Sequence, residues 1–151
     1  MDLLRSASLR TLIETRLRHF ALCEAAPPPR GSVVNVSSMA GISGVGSSVP
    51  YIMSKGALNT LTLHLAKQLA PEIRVNAVCP GLITSRWFVE GVGQAAFEKI
   101  KATSEQMAPL QTASSPEDVA EAIVWLVTGA RTVTGELLKV DAGVHLGPAR
   151  R

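Results

Sequence analysis

A tyrosine and a lysine stand four residues apart in the stretch YIMSK, at Tyr51 and Lys55. On an α-helix this spacing places both side chains on one face. A phenol beside a cation can give and take a proton near neutral pH, because the positive charge favours the phenolate form. A surface pair on a solvated helix would show the same spacing, so the neighbouring segments must decide between the two interpretations.

The segments around this pair predict a strand, a loop, a helix and a second strand. Residues 32–36 are rich in β-branched side chains and favour a buried strand. Residues 39–49 are rich in glycine and serine and predict a flexible loop. A helical pattern covers residues 50–69, with a proline at its start and another just beyond its end. A second strand is predicted over residues 73–78, ended by a Pro-Gly pair.

A further helix has strong signals at its start. Ser115 is a favourable N-cap, Pro116 suits the first helical position, and the acidic Glu117 and Asp118 suit the positive end of the helix dipole. The predicted buried stripe of this helix consists of Val119, Ile123, Val124 and Val127.

The order of these elements is typical of an α/β protein with a parallel sheet. A third strand is predicted at Leu137–Val140, and an N-terminal amphipathic helix over residues 9–21 is followed by a proline-rich loop at 26–31. Residues 82–114 form a longer irregular segment after the second strand. In open α/β sheets, ligands bind at the carboxyl ends of the strands, so we expect this segment to lie near a ligand.

Composition excludes several classes of protein. The 151 residues are 46% hydrophobic and 18% charged, which indicates a soluble globular domain. A net charge of +3 without a basic stripe predicts no nucleic-acid partner. No apolar run is long enough to cross a bilayer, so we expect no membrane partner. The first 25 residues are rich in arginine, but their acidic residues argue against a mitochondrial presequence.

The cysteines and histidines predict neither a disulfide framework nor a metal site. Cys23 and Cys79 have no CxxC spacing and are interpreted as buried thiols in a reducing compartment, which favours a cytoplasmic protein. His19, His64 and His145 are scattered along the chain, so we expect no metal.

Five motifs together resemble the short-chain dehydrogenase/reductase family. They occur in that family's order and spacing: NVSS at 35–38, YIMSK at 51–55, RVNAVCPG at 74–81, SPEDVA at 115–120 and TGELLKVDAG at 134–143. A YxxxK motif alone is a weak signal. A serine thirteen residues before the tyrosine and a strand ending in NxxxPG after it make the signal specific. The resemblance implies an α/β fold with a partial Rossmann-like, doubly wound parallel sheet.

The resemblance implies roles for three catalytic residues. Tyr51 would be the general acid or base that exchanges a proton with the substrate oxygen as hydride moves to or from its carbon. Lys55 would favour the phenolate and also bind the nicotinamide ribose. Ser38 would hold the substrate oxygen through its hydroxyl; the alternative role for Ser38 is a cap at the end of its strand.

The resemblance also implies cofactor contacts after the second strand. Pro80 and Gly81 correspond to the turn beside the nicotinamide ring, and the backbone of Ile83 would bind the carboxamide. Ser85 stands where many relatives have threonine. The cofactor would be NAD or NADP, with no preference readable from the sequence. Asn76 also matches a family position. A structural role, in which Asn76 holds a loop through backbone hydrogen bonds, explains this residue at least as well as a role in the site.

The substrate side is defined less sharply. The resemblance implies a small alcohol or ketone substrate, and the branch most similar is the 3-oxoacyl-carrier-protein reductases. Trp87 and Phe88, two of six aromatic residues, would form a lid over the substrate, or would pack as an ordinary hydrophobic contact.

The nucleotide-binding half of the family has no counterpart in these motifs. No GxxxGxG or GxGxxG turn precedes residue 35, and the glycines of GISGVGSS lie between Ser38 and Tyr51. With βαβ units of about thirty residues, roughly 90 to 100 residues of that half would be missing. We therefore predict one truncated domain over residues 1–151, with a divergent part at 1–30 and a catalytic segment at 31–147. The alternative function is a catalytically inactive remnant or an interaction protein.

An incomplete sheet predicts association. The strand at 32–36 would lie at an open edge without its usual neighbour, and apolar helix faces would be exposed. The helices carrying Arg16 and Tyr51 resemble those that the family packs between subunits. We therefore expect a homo-oligomer.

Overall fold

The computed structural model describes residues 31–149, apart from the side chain of Trp87. The predicted N-terminal helix, the loop at 26–30, Arg16, His19 and Cys23 lie outside the described residues. Within residues 31–149, no helix is both long and apolar enough to cross a membrane.

Three parallel strands form one sheet in the order β1-β2-β3, and this confirms the predicted α/β class. The strands are β1 (Gly31–Val36), β2 (Ile73–Pro80) and β3 (Leu137–Val140). The helices are α1 (Ala40–Ser43), α2 (Val49–Gln68), α3 (Arg86–Val92), α4 (Gln94–Met107) and α5 (Pro116–Thr128), and a 3₁₀ turn covers Val144–Leu146. The predicted helix at 50–69 and strand at Leu137–Val140 are thereby confirmed, and the second strand extends two residues further than predicted, to Pro80.

Successive residues of the central strand β2 face opposite sides of the sheet, as a pleated strand requires. Val78 points toward α5 and belongs to the main core cluster with Val119, Leu126 and Ala130. Cys79 points toward α2, where its thiol contacts Asn59. The two crossover helices therefore cover opposite faces of the sheet.

The buried stripe of α5 differs from the prediction. Val119 and Ile123 pack in the core as expected, but Val124 is 57% exposed and Val127 is 41% exposed. At about 100° per residue, Val124 lies about 140° around the helix from Val119, whereas Leu126 returns to the same face. Leu126 is fully buried and fills the core position that was predicted for Val124 and Val127.

The predicted flexible loop at 39–49 contains helix α1, which packs against α2. Gly41 allows this packing, because a Cβ atom there would lie 2.6 Å from the carbonyl carbon of Lys55. The loop prediction was wrong at this point, since glycines that permit close helix contact give the same sequence signal as glycines that give flexibility.

Two polar residues of β2 tie the sheet to the end of α5 and to the loop that follows it. The Asn76 amide donates a 2.9 Å hydrogen bond to the Val133 carbonyl and accepts one of 2.9 Å from the Glu136 N–H. Arg74 donates to the carbonyl oxygens of Leu126 (2.7 Å) and Val127 (2.9 Å) in the last turn of α5. The loop-tying role predicted for Asn76 is confirmed.

Candidate active site

The start of α2 places Tyr51 and Lys55 on one face of the helix. Ser48 caps the helix through its hydroxyl, which accepts a 3.4 Å hydrogen bond from the Tyr51 N–H, and Pro50 lies in the first turn. The Lys55 Nζ atom lies 5.7 Å from the centre of the Tyr51 ring. Tyr51 is 38% exposed, so part of this residue faces solvent.

Lys55 is anchored to the carboxyl end of β1. Its Nζ atom donates a 2.9 Å hydrogen bond to the carbonyl oxygen of Val36, the last residue of the strand. The ammonium group therefore lies near both the strand end and the Tyr51 ring, and one hydrogen bond uses only one of its three N–H donors.

Ser38 lies two residues beyond the end of β1. Its hydroxyl oxygen accepts a 3.1 Å hydrogen bond from the Ala40 N–H, which is the strand-end cap weighed in the sequence analysis. A hydroxyl that accepts one hydrogen bond can still donate its own proton. The next residue, Met39, donates from its N–H to the Pro80 carbonyl at 2.9 Å and so joins this segment to the end of β2.

Glycines bring the Ser38 segment against the tyrosine. A Cβ atom at Gly46 would lie 2.9 Å from Ala40 Cβ, 3.0 Å from Ile52 Cγ1 and 3.5 Å from Tyr51 Cδ1. Gly46 therefore lies beside the tyrosine ring and has no room for a side chain.

Ser37 and Asn59 form a buried polar pair next to Lys55 that was not predicted from the sequence. The Ser37 hydroxyl lies 2.5 Å from Asn59 Oδ1 and 3.3 Å from the Lys55 carbonyl oxygen. Ser37 is 4% exposed and Asn59 is 6% exposed. The available signal was spacing, since Asn59 follows Lys55 by four residues and both therefore lie on one face of the helix.

The predicted cofactor turn lies at the carboxyl end of β2. The Gly81 N–H donates a 3.0 Å hydrogen bond to the Val140 carbonyl at the end of β3. A Cβ atom at Gly81 would come within 2.8 Å of Asp141 Cβ. Contact with Asp141 is therefore sufficient to require glycine here, independently of any bound ring.

The two residues predicted to follow this turn in the cofactor site have structural contacts of their own. Ile83 forms an isolated parallel bridge with Ser114, and its side chain packs against the α5 core. The Ser85 hydroxyl caps α3 by accepting a 3.3 Å hydrogen bond from the Phe88 N–H.

The predicted lid residues are described only in part. The Phe88 ring packs edge-on against the Phe97 ring of α4, with 5.9 Å between the ring centres. This contact agrees with the packing alternative for Phe88. The side chain of Trp87 lies outside the described part of the structure.

A buried carboxylate beside Gly81 was also missed. Asp141 is 6% exposed and accepts hydrogen bonds from the N–H groups of Gly143 (3.1 Å) and His145 (3.0 Å), while His145 Nδ1 lies 2.9 Å from its Oδ2 atom. Burial by itself raises the pKa of the Asp141 carboxyl, but the hydrogen bonds from the His145 ring and the two N–H groups outweigh it, so the pKa lies below its usual value.

Of the two cysteines, only Cys79 lies within the described residues. Cys79 is fully buried, as predicted, and burial raises the pKa of its thiol. Across residues 31–149, no group of three or more His, Cys, Asp or Glu side chains is arranged to hold a metal ion.

Comparison with known proteins identifies the family. The family model described as "Enoyl-(Acyl carrier protein) reductase" matches residues 7–145. The "Short-chain dehydrogenase/reductase homolog YusR" of Bacillus subtilis is 42% identical over 116 residues, which are 77% of this chain and 84% of that protein. The chain belongs to the short-chain dehydrogenase/reductase family. The family match begins upstream of the five motifs, at residue 7.

Other members of the short-chain dehydrogenase/reductase family are longer than this chain. The "Granaticin polyketide synthase putative ketoacyl reductase 2" of Streptomyces violaceoruber is 47% identical over 77% of this chain but only 45% of its own length. A putative short-chain dehydrogenase/reductase from Burkholderia xenovorans has a TM-score of 0.69 and 40% identity over 87% of this chain and 47% of its own. The chain thus spans about half the length of these two proteins.

Two solved members of the family contain nicotinamide cofactors. A 3-oxoacyl-[acyl-carrier protein] reductase from Brucella melitensis with bound NAD has a TM-score of 0.66 and 29% identity over 90% of this chain and 45% of its own. A small-chain dehydrogenase in complex with NADPH has a TM-score of 0.69 and 28% identity over 77% of this chain and 52% of its own.

Proposed function

We propose that this chain supplies the proton-transfer site of an NAD(P)-dependent oxidoreductase that acts on an alcohol or a ketone. The observation that carries the proposal is the position of Lys55, whose Nζ atom is held 2.9 Å from the Val36 carbonyl and 5.7 Å from the centre of the Tyr51 ring. The cation lies beside the phenol at the carboxyl end of β1, where ligands bind in open α/β sheets.

The described residues fit one end of a nicotinamide cofactor. The ammonium of Lys55 can donate to ribose hydroxyls, and the turn from Pro80 to Ile83 lies at the carboxyl end of the adjacent strand β2. When bound, the cofactor supplies or accepts the hydride. No glycine-rich phosphate turn occurs before residue 35, so the fit concerns the nicotinamide and ribose end alone.

The chain's own residues would move the proton. In the direction of reduction, the Tyr51 hydroxyl gives its proton to the carbonyl oxygen as that carbon gains hydride, and the product is an alcohol. The adjacent positive charge of Lys55 stabilises the negative charge that remains on the phenolate oxygen of Tyr51. Ser38, whose hydroxyl can donate its proton while its oxygen accepts from the Ala40 N–H, would hold the same substrate oxygen.

A second candidate is a catalytically inactive member of the family that acts by interaction. The exposed apolar residues of α2, among them Val49, Met53 and Leu63, fit contact with a second copy of the chain, and we propose a homo-oligomer. The buried thiol of Cys79 agrees with a cytoplasmic location.

Calorimetric titration of the 151-residue protein with NADH and with NADPH tests the proposal. Saturable binding that weakens in a Lys55→Met variant is the expected result. A folded protein that binds neither cofactor would overturn the proposal and favour the interaction protein. Sedimentation of the same samples measures the oligomeric state.

A further inference from the structure

A second contact ties the Lys55 turn of α2 to β1, apart from the ammonium group. The Ser37 hydroxyl lies 3.3 Å from the carbonyl oxygen of Lys55, while the Lys55 Nζ atom bonds the carbonyl oxygen of Val36, the residue before Ser37. The main-chain carbonyl of Lys55 thus bonds Ser37, and its side chain bonds Val36, so that both parts of Lys55 are held at the end of β1.

Asn59 fixes the direction of the Ser37 hydroxyl. Its Oδ1 atom lies 2.5 Å from Ser37 Oγ, and the thiol of Cys79 approaches the same Oδ1 atom at 3.8 Å. All three side chains are buried, so water does not compete for these groups. The hydroxyl has one proton, which it shares between Asn59 and the Lys55 carbonyl.

We infer that Ser37 is a positioning residue for Lys55, with Asn59 as the group that orients its hydroxyl. This inference rests on the proposed function, in which Lys55 acts on the tyrosine and on the cofactor. Ser37 itself touches neither reacting group. It keeps the Lys55 turn against β1, so that the ammonium stays at the strand end and beside the Tyr51 ring.

A similar buried contact one turn further along α2 provides a matched control. The Asn35 amide donates a 2.9 Å hydrogen bond to the Thr62 hydroxyl, which also joins β1 to α2. Thr62 is fully buried and its own proton goes to the Leu58 carbonyl at 2.8 Å. Neither residue contacts Lys55 by a hydrogen bond, so Thr62→Val removes a strand–helix contact of the same kind at a different place.

Trace acylation of lysines in the cofactor-free protein measures how firmly Lys55 is held. Peptide mass spectrometry gives the labelling of Lys55 relative to exposed Lys67 in the last turn of the same helix. In Ser37→Ala we expect this ratio to rise about fivefold, the factor that corresponds to the loss of one ordinary hydrogen bond. In Thr62→Val we expect the parent ratio.

A second variant keeps the test decisive if Ser37→Ala fails to fold. Ser37→Cys keeps nearly the same shape but has a weak donor, so its ratio should rise less than in the alanine variant and in the same direction. Circular dichroism checks that each variant is folded. An unchanged Lys55 ratio in either folded Ser37 variant, or an equal rise in Thr62→Val, would overturn the inference.

The failure of this inference and the failure of the proposed function give different results. If the parent binds NADH or NADPH but the Ser37 variants label like the parent, the function stands and the positioning role is wrong. If the ratio rises as expected but neither cofactor binds, Ser37 positions Lys55 in a chain that lacks the proposed activity.

Discussion

Gly41 lies against the peptide group of Lys55 so closely that only a hydrogen atom fits between them. A Cβ atom at position 41 would be 2.6 Å from the Lys55 carbonyl carbon, 2.7 Å from its oxygen and 2.8 Å from the Gly56 nitrogen. These are backbone atoms inside α2, which cannot turn aside as a side chain can. The distance between the Ser38 segment and the Lys55 turn is therefore set by the absence of a side chain at Gly41.

We expect Gly41→Ala to destabilise the protein by about 1–3 kcal/mol, because the new methyl group forces α1 away from α2. Gly56→Ala is the matched control. Among the described residues, a Cβ atom there has only the Gly41 oxygen within 4 Å, at 3.8 Å. Alanine in a helix interior is favoured over glycine by roughly 0.5–1 kcal/mol. Urea unfolding of the two variants should give shifts of opposite sign. Equal destabilisation by both would contradict the packing argument.

Tyr51→Phe should remove nearly all turnover if the chain is active, because it deletes the proton that the substrate oxygen receives. General acid catalysis typically contributes about 10²–10⁴-fold. Within residues 31–149 the hydroxyl of the partly exposed Tyr51 makes no hydrogen bond, so the free energy of unfolding should change by less than about 0.5 kcal/mol. The measurement is cofactor oxidation with a panel of ketones, beside thermal unfolding. A phenylalanine variant that works at the parent rate would exclude Tyr51 as the acid.

Asp141→Asn should lower the free energy of unfolding at pH 7 by about 1–3 kcal/mol, since an amide replaces a buried, fully hydrogen-bonded carboxylate. The folded state depresses the pKa of Asp141, so its stabilisation is present above the unfolded-state value of about 4 and is lost as the pH falls through the folded-state pKa.

The difference in stability between the parent and Asp141→Asn should therefore shrink below about pH 4. Hydrogen bonds with Ser115 also lower the pKa of Asp118, but that contribution is common to both proteins and cancels in the difference. Denaturant unfolding of both proteins from pH 3 to pH 7 measures this difference in the free energy of unfolding. A difference that grows toward acid would show that the sign of the shift is wrong.

Leu126→Ala should cost about 2–5 kcal/mol, because it opens a cavity in the core cluster between α5 and the sheet. Val124→Ala on the exposed side of the same helix should stay within about 0.5 kcal/mol of the parent. The comparison tests which face of α5 is buried. If the valine substitution were the more damaging one, the predicted stripe through Val124 would be right after all.

The sequence was a good guide where local chemistry determines local structure. Ser115 and Asp118 form a reciprocal capping box, with the Ser115 N–H 2.7 Å from the Asp118 carboxylate, and the helix begins where the pattern predicted. The β-branched run of β1 and the short strand at Leu137–Val140 are likewise local signals.

It was a poor guide where polar groups are buried. Pattern reasoning assigns polar residues to the surface, but Ser37, Asn59, Arg74 and Asp141 are all buried. Their partners, such as the Leu126 carbonyl for Arg74 and the His145 ring for Asp141, do not show in a hydrophobic pattern. The contact that anchors Lys55 was not predictable either, because its acceptor is the main-chain oxygen of Val36, which every residue type carries.

The residues that contact one another in the candidate site are close together in the sequence. Ser37 and Lys55 are 18 positions apart, Val36 and Lys55 are 19 apart, and Ser37 and Asn59 are 22 apart. The hydrogen bonds of Arg74 to the end of α5 and to the loop after it join residues that are 52 to 59 positions apart. Since the entropy cost of closing a loop grows with its length, we expect the strand–helix unit from β1 to α2 to assemble early in folding, before β3 is paired. The order of folding would then place the phenol beside its cation while the rest of the sheet is still forming.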